Sequence, residues 1–335
     1  MNYLTYLKIH HFKSIENLEL NGLSNINIVV GENNSGKTSL LEAISILDNE
    51  NSIKSILNNI SKRSSEYISN LELFLELFPR CQDKNKSIKI QSTINGLTRE
   101  ININGNLSRN ISEDNTFLGN INVKLEDEIL IDKNISIGEN KDIKYINDYD
   151  IIKIVYVTPY DYYRNYLIEN SLENLSDKEK EHIINLLKLF DDDITDFKIV
   201  NKLNRDIIYI DHNIHGIIPL FTFGDSIKKI FTLGVALRNS KGGILLVDEI
   251  ESAVHKKYMK KMFDYIIKVC NEYKIQLICT THSLEAIDSI ILSLRDEIDK
   301  LSCFRIELYD NKMYYTKFSG DKLKDIRNLL GQDVR

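Results

Sequence analysis

Apolar residues along the chain follow two rhythms, and the switches between them mark the elements. Residues 3 to 20 alternate loosely, as one or two strands would, with a turn near His10 to Ser14. Ile26 to Val30 (INIVV) is a short apolar run rich in β-branched residues, and Gly31 ends it. From Lys37 the spacing becomes helical, with Leu40, Leu41, Ile44 and Leu47 on one face. A strand, a glycine-bearing loop and a helix therefore follow one another directly.

The middle of the chain has a different texture. A helical stretch is expected over roughly Ile53 to Phe78, then β-like segments at Ser87–Ile90, Arg99–Ile103 and Ile121–Lys124. Asn-Gly pairs at 95–96 and 104–105 are expected to turn the chain between them. Residues 48–150 thus read as a helical and β-rich lobe inserted into a core made of 1–47 and 151–335. Ile151 to Val157 (IIKIVYV) returns to a buried-strand pattern, and a polar helix is expected over about Asp177 to Phe190. Gly243 to Asp248 (GILLVD) is an apolar strand, His255 to Tyr273 an amphipathic helix, and Ile275 to Thr280 the next strand. Strand, helix and strand with short connections predict a parallel sheet flanked by helices, an α/β fold in one large domain. There is no internal repeat and no heptad run long enough for a coiled-coil arm.

Composition narrows this picture only a little. Hydrophobic residues make up 42% and charged residues 27% of 335 positions, a globular balance with enough apolar material for a core. The net charge of −6 argues against indiscriminate coating of nucleic acid, while leaving room for a local basic patch. Lys256, Lys257, Lys260 and Lys261 fall on the polar face of the 255–273 helix and read as solvated. Cys81, Cys270, Cys279 and Cys303 lack metal-site spacing, and Cys270 and Cys279 read as small core residues. The N-terminus has no secretory pattern, and no apolar run approaches the ~20 residues that span a bilayer. A cytoplasmic protein without membrane contact is expected.

Chemistry is concentrated at the first strand–loop–helix junction. Gly31-Glu32-Asn33-Asn34-Ser35-Gly36-Lys37-Thr38 fits the phosphate-loop pattern GxxxxGK(S/T) in full. Its glycines let the backbone wrap a phosphate closely, and the helix beginning near Gly36 adds its positive end. Lys37 would reach the β and γ phosphates, and the Thr38 hydroxyl would ligate Mg²⁺. Asp248 and Glu249 end the GILLVD strand, where an aspartate holds Mg²⁺ and a glutamate activates water as general base. His282, in TTHS after another strand, would enter the same crevice and bond the γ-phosphate.

Together these segments resemble the ATP-binding-cassette type of ATPase, in its soluble SMC/RecF/OLD-like branch, loosely grouped as AAA-family ATPases. FKSIENLEL at 12–20 and NIVVGENNSGKTSLLEAI at 27–44 are similar to that branch's N-terminus. ILLVDEIESAVH at 244–255 and QLICTTHSLEAI at 276–287 are similar to its Walker B, D-loop and switch-histidine regions. The ending FSGDKLKDIRNLLGQDVR resembles small stand-alone members. The resemblance covers about 1–47 and 219–290, is weaker to 335, and is poor across the middle. It implies a P-loop NTPase head acting as a head-to-head dimer or higher oligomer, with ATP clamped between one chain's phosphate loop and the other's signature segment. Phe223-Gly224-Asp225-Ser226 takes the signature position here, followed by a helix from Ile227 to Leu237, with Gly224 and Ser226 as its nucleotide contacts. Lys13, Ser14 and Ser39 also join the nucleotide site by resemblance. Thr158-Pro159-Tyr160-Asp161 stands where a Q-loop belongs but holds no glutamine, and the D-loop carries Ala253 and Val254 where relatives often have glycine and leucine.

Two loads for such an engine compete. One is a separate effector, a TOPRIM-like nuclease or a toxin, controlled in anti-phage defence. The ~45 residues after position 290 are too few for a nuclease domain of the chain's own. The other is DNA, held by a RecF-like repair ATPase. The FKSI start and the absence of LSGGQ disfavour a transporter subunit.

Overall fold

The computed structural model describes residues 3–48, 57, 60, 68–80, 82, 85–109, 115–139, 152–164, 172, 175–202, 205–309 and 312–335. Its core is a six-stranded sheet in the order β15-β14-β3-β13-β12-β8. These strands are Lys312–Ser319, Leu301–Tyr309, Ile26–Val30, Gln276–Thr280, Ile244–Val247 and Ile154–Val157. All neighbours run parallel except β15, which closes one edge antiparallel to β14.

The parallel strands are buried on both faces, so their apolar runs are continuous and not alternating. Side-chain alternation then assigns each residue to one of two cores. Ile28, Val30, Leu245, Val247, Leu277 and Cys279 pack with helices α3 (Asp177–Lys188), α4 (Asp225–Asn239), α5 (Lys256–Tyr273) and α6 (Leu284–Ser293). Val29, Ile244, Leu246, Ile278 and Phe304 face helix α1 (Lys37–Ser45) and a second sheet on the opposite side.

The second sheet gathers the N-terminal hairpin and the strands of the middle region. Its order is β2-β1-β4-β5-β6-β7, every pair antiparallel, so strands from 85–138 extend the N-terminal hairpin and form no sheet of their own. The strands are β1 (Leu4–Phe12), β2 (Ile15–Asn21), β4 (Asn85–Ile94), β5 (Leu97–Arg109), β6 (Asn115–Leu125) and β7 (Glu128–Gly138). Asn95-Gly96 makes the expected turn, both residues at positive φ (53° and 83°). Asn104-Gly105 does not: it lies inside β5, where Gly105 pairs with Gly119 and a Cβ would strike the Phe117 ring. A strand glycine can mark close packing as well as a turn. Half of the expected Ile53–Phe78 helix lies outside the described residues; within them, α2 (Asn70–Leu75) starts at a Ser69–Glu72 capping box.

A three-stranded antiparallel sheet, β11-β10-β9 (Gly216–Pro219, Arg205–His212, Ile194–Lys202), was not expected from the sequence. An irregularity between Asp211 and His212 breaks its period-two pattern. The final helix, α7 (Gly320–Asn328), follows β15.

Gln276 joins the two main sheets. It is fully buried; its Oε1 accepts from the Leu4 N–H (2.8 Å) and its Nε2 donates to the Leu4 and Ser24 carbonyls (2.8 Å each). Gln276→Leu keeps most of the volume but strips these backbone groups of their partner. We expect a loss of about 2–3 kcal/mol, measured by urea unfolding.

Candidate active site

The phosphate-loop pattern lies where β3 hands over to α1. Gly31 (φ 149°), Asn34 (φ 63°) and Gly36 (φ 94°) curl the backbone between them. A Cβ on Gly31 would collide with the Ile306 carbonyl, which is why glycine is required there. Gly36 caps α1 without a side-chain bond, so the first N–H groups of the helix have no intrahelical acceptor. The buried Ser35 hydroxyl has no hydrogen-bond partner among the described residues. Such an orphaned polar atom is what a loop shaped for a ligand leaves behind.

Lys37 is only 6% exposed, and its Nζ donates to the carbonyls of Gly31 (2.9 Å) and Glu32 (2.6 Å). Burial lowers its pKa, while the carboxylates of Asp248, Glu249 and Glu251 oppose that shift. Asp248, at the end of β12, accepts from Thr38 Oγ1 (2.8 Å) and from Thr280 Oγ1 (2.6 Å). The Thr280 oxygen in turn accepts from the Glu249 N–H (2.8 Å), so one hydroxyl ties the ends of β12 and β13 together. Glu249 sits at φ 49°, a left-handed conformation that costs a non-glycine residue free energy. His282 donates its N–H to Glu251 Oε1 (2.7 Å).

These elements meet in one pocket of about 660 Å³. It is lined by Ser14, Asn33, Asn34, Gly36, Lys37, Thr38, Ser39, Asp248, Glu249 and His282. A family model described as "AAA domain, putative AbiEii toxin, Type IV TA system" matches residues 26–288, most of the chain and every residue lining this pocket except Ser14. The chain belongs to this AAA-domain family. Its fold is that of the ABC-type ATPases of the SMC/RecF branch. An ATP/GTP phosphatase of Helicobacter pylori is 22% identical over 95% of this chain and 96% of its own length. A DNA replication and repair protein RecF of Pseudoalteromonas translucida is 38% identical, but over only 33% of this chain and 29% of its own. Among solved structures, an SMC head bound to the C-winged helix domain of ScpA superposes with TM-score 0.58 at 14% identity, covering 95% of this chain and 98% of the other. A RecF recombination mediator gives TM-score 0.52 at 14% identity, covering 93% and 98%.

Other expected residues of this AAA-family chain lie outside the pocket lining. Gly31 and Ser35 lie on another side of the loop, lining an adjoining cavity of about 530 Å³. Lys13 turns away: at φ 51° in the β1–β2 turn, its Nζ pairs with the buried Glu42 (2.5 Å). Gly224 and Ser226 sit at the start of α4, with Gly224 exposed and the Ser226 hydroxyl donating to the Ala253 carbonyl. In the Q-loop region, Asp161 is buried and accepts from the Thr158 N–H and hydroxyl (2.7 Å each).

Thr38 and Asp248 present hard oxygen donors side by side at the pocket floor, and this set fits Mg²⁺. Sequence reading missed Thr280, Glu251 and Arg335, whose Nη1 donates to the His282 carbonyl (2.8 Å). Thr280 was within reach as the first threonine of TTHS; the others depend on the chain's path. Cys270, Cys279 and Cys303 are buried, and burial pushes the Cys270 and Cys303 thiols up to about 12.

Two other polar features lie apart from this pocket. Asp191, Asp193 and His212 cluster within 4.8 Å. Yet His212 Nδ1 accepts from the Ile214 and His215 N–H groups, so Nε2 carries the proton and donates to Asp191 (3.2 Å). The cluster is a turn staple. An open depression of about 760 Å³ on the antiparallel sheet is lined, among the described residues, by asparagines, serines, glycines, Leu118 and Ile135, with Lys86 the one ionisable group and no catalytic set among them.

Proposed function

We propose that this protein hydrolyses ATP in a Mg²⁺-dependent reaction completed by a second copy of the chain, and that dimer opening and closing control a separate effector in the cytoplasm. The carrying observation is the single pocket that unites loop, acids and histidine. In it, the loop N–H groups and Lys37 bind and orient the phosphates. Thr38 and Asp248 would hold Mg²⁺, which offsets phosphate charge when bound. Glu249 positions a water and takes its proton; His282 bonds the γ-phosphate and registers its loss. Gly224 and Ser226, at an accessible helix start outside their own pocket, suit contact with nucleotide on the partner chain.

The family's description, which names a toxin of a type IV toxin–antitoxin system, supports a setting in which a toxic activity is controlled; a separate nuclease-like or toxin effector in defence against phage is the role we favour. The RecF similarity over a third of the chain supports the second reading, a DNA-binding repair ATPase. No helix among the described residues is long and apolar enough to cross a membrane.

Phosphate release should be measured with ATP and GTP, with Mg²⁺ or EDTA, over a range of protein concentrations. The rate per chain is expected to need Mg²⁺ and to rise with concentration as dimers form. A constant rate from a protein that light scattering shows to be monomeric throughout would overturn the two-chain site. For the effector, co-purification of a second chain is the expected result. ATP-stimulated DNA binding that weakens steeply with salt would favour the RecF-like reading instead.

A further inference from the structure

Helix α4 buries a lysine that the chemistry above does not use. Lys229 is 2% exposed among Ile227, Ile230 and Phe231, where an apolar side chain would pack at no electrostatic cost. Its Nζ donates to the Glu249 carbonyl (2.7 Å) and to Ser252 Oγ (2.5 Å), acceptors that are a carbonyl and a hydroxyl. Burial lowers its pKa to about 8 against the opposing pull of Glu251, Glu249 and Asp248. A cation kept in the core at this cost, bonded to one particular carbonyl, points to a positional task.

The bonded carbonyl belongs to the residue with left-handed backbone at the pocket. Glu249 is held from both sides: Thr280 Oγ1 takes its N–H (2.8 Å), and Lys229 holds its C=O (2.7 Å). This clamp holds the backbone at φ 49° where Glu249 lines the pocket. One helical turn before Lys229, Ser226 donates to the carbonyl of Ala253, also left-handed at φ 57°. The start of α4 therefore grips the 249–253 turn at both ends.

We infer that Lys229 is a positioning residue for Glu249, through which the start of α4 sets the placement of the carboxylate in the phosphate pocket. The inference rests on the reading of Glu249 as the base. It makes hydrolysis respond to what α4 touches. Any pull on Ser226 from a partner's nucleotide reaches Glu249 through one buried ammonium, without moving the phosphate loop that binds ATP.

The test is Lys229→Met, beside Lys229→Arg, in the full chain. A fluorescent ATP analogue reports affinity, phosphate release gives kcat and KM, and circular dichroism reports the fold. Methionine keeps the length and removes the donor, so kcat should fall about 100-fold while affinity and KM stay within about threefold. Arginine keeps charge and donors and should recover about tenfold of that loss; it is also the folded comparison if methionine destabilises the core. Wild-type kcat in folded Lys229→Met, or equal loss of affinity and turnover in either folded variant, overturns the inference. Wild-type protein that binds ATP without hydrolysing it overturns the reading of Glu249 instead.

Discussion

Glu249→Gln is expected to keep ATP bound while turnover falls by about 10²–10⁴-fold, the usual share of a general base. The amide has nearly the shape of the carboxylate, so the pocket keeps its form. The backbone bonds to Thr280 and Lys229 involve only the N–H and C=O of this residue and survive the change. What is lost is the lone pair that accepts the water's proton. Removing a negative charge beside the polyphosphate also favours binding. Nucleotide should therefore remain on the protein through gel filtration, and light scattering should show the dimer accumulating with ATP. Normal phosphate release by this variant would show that the base lies elsewhere.

Lys37→Ala should fail one step earlier. Lys37 is the buried cation of the loop, facing the carboxylates of Asp248, Glu249 and Glu251. Without it, three negative groups confront the incoming phosphates with only backbone N–H groups to offset them. The loss of affinity is expected to be about 3 kcal/mol or more, roughly 100-fold, as for removal of one partner from a desolvated charge pair. Fluorescent-analogue titration measures it directly. Unchanged affinity would mean that nucleotide does not sit on the loop. Retained binding without turnover in one variant and lost binding in the other separate the two roles of the pocket.

The sequence by itself determined what is local. The run INIVV, the loop Gly31–Thr38 and the helical spacing from Lys37 specify one another over some twenty residues, because backbone dihedrals, helix start and apolar period are short-range properties. The same holds for the strand ending at Asp248 and Glu249 and for His282 after its strand; all ten residues now lining the pocket were already candidates. Tertiary structure decided what depends on neighbours far along the chain. It placed strands β4 to β7 beside the N-terminal hairpin, put Asn104-Gly105 inside a strand, and turned Lys13 toward Glu42. It also brought Thr280 to Asp248 and Lys229 to the Glu249 carbonyl. Sheet order and buried polar pairing are set by packing between segments tens to hundreds of residues apart, and no local pattern of apolar and polar positions encodes a partner at that range.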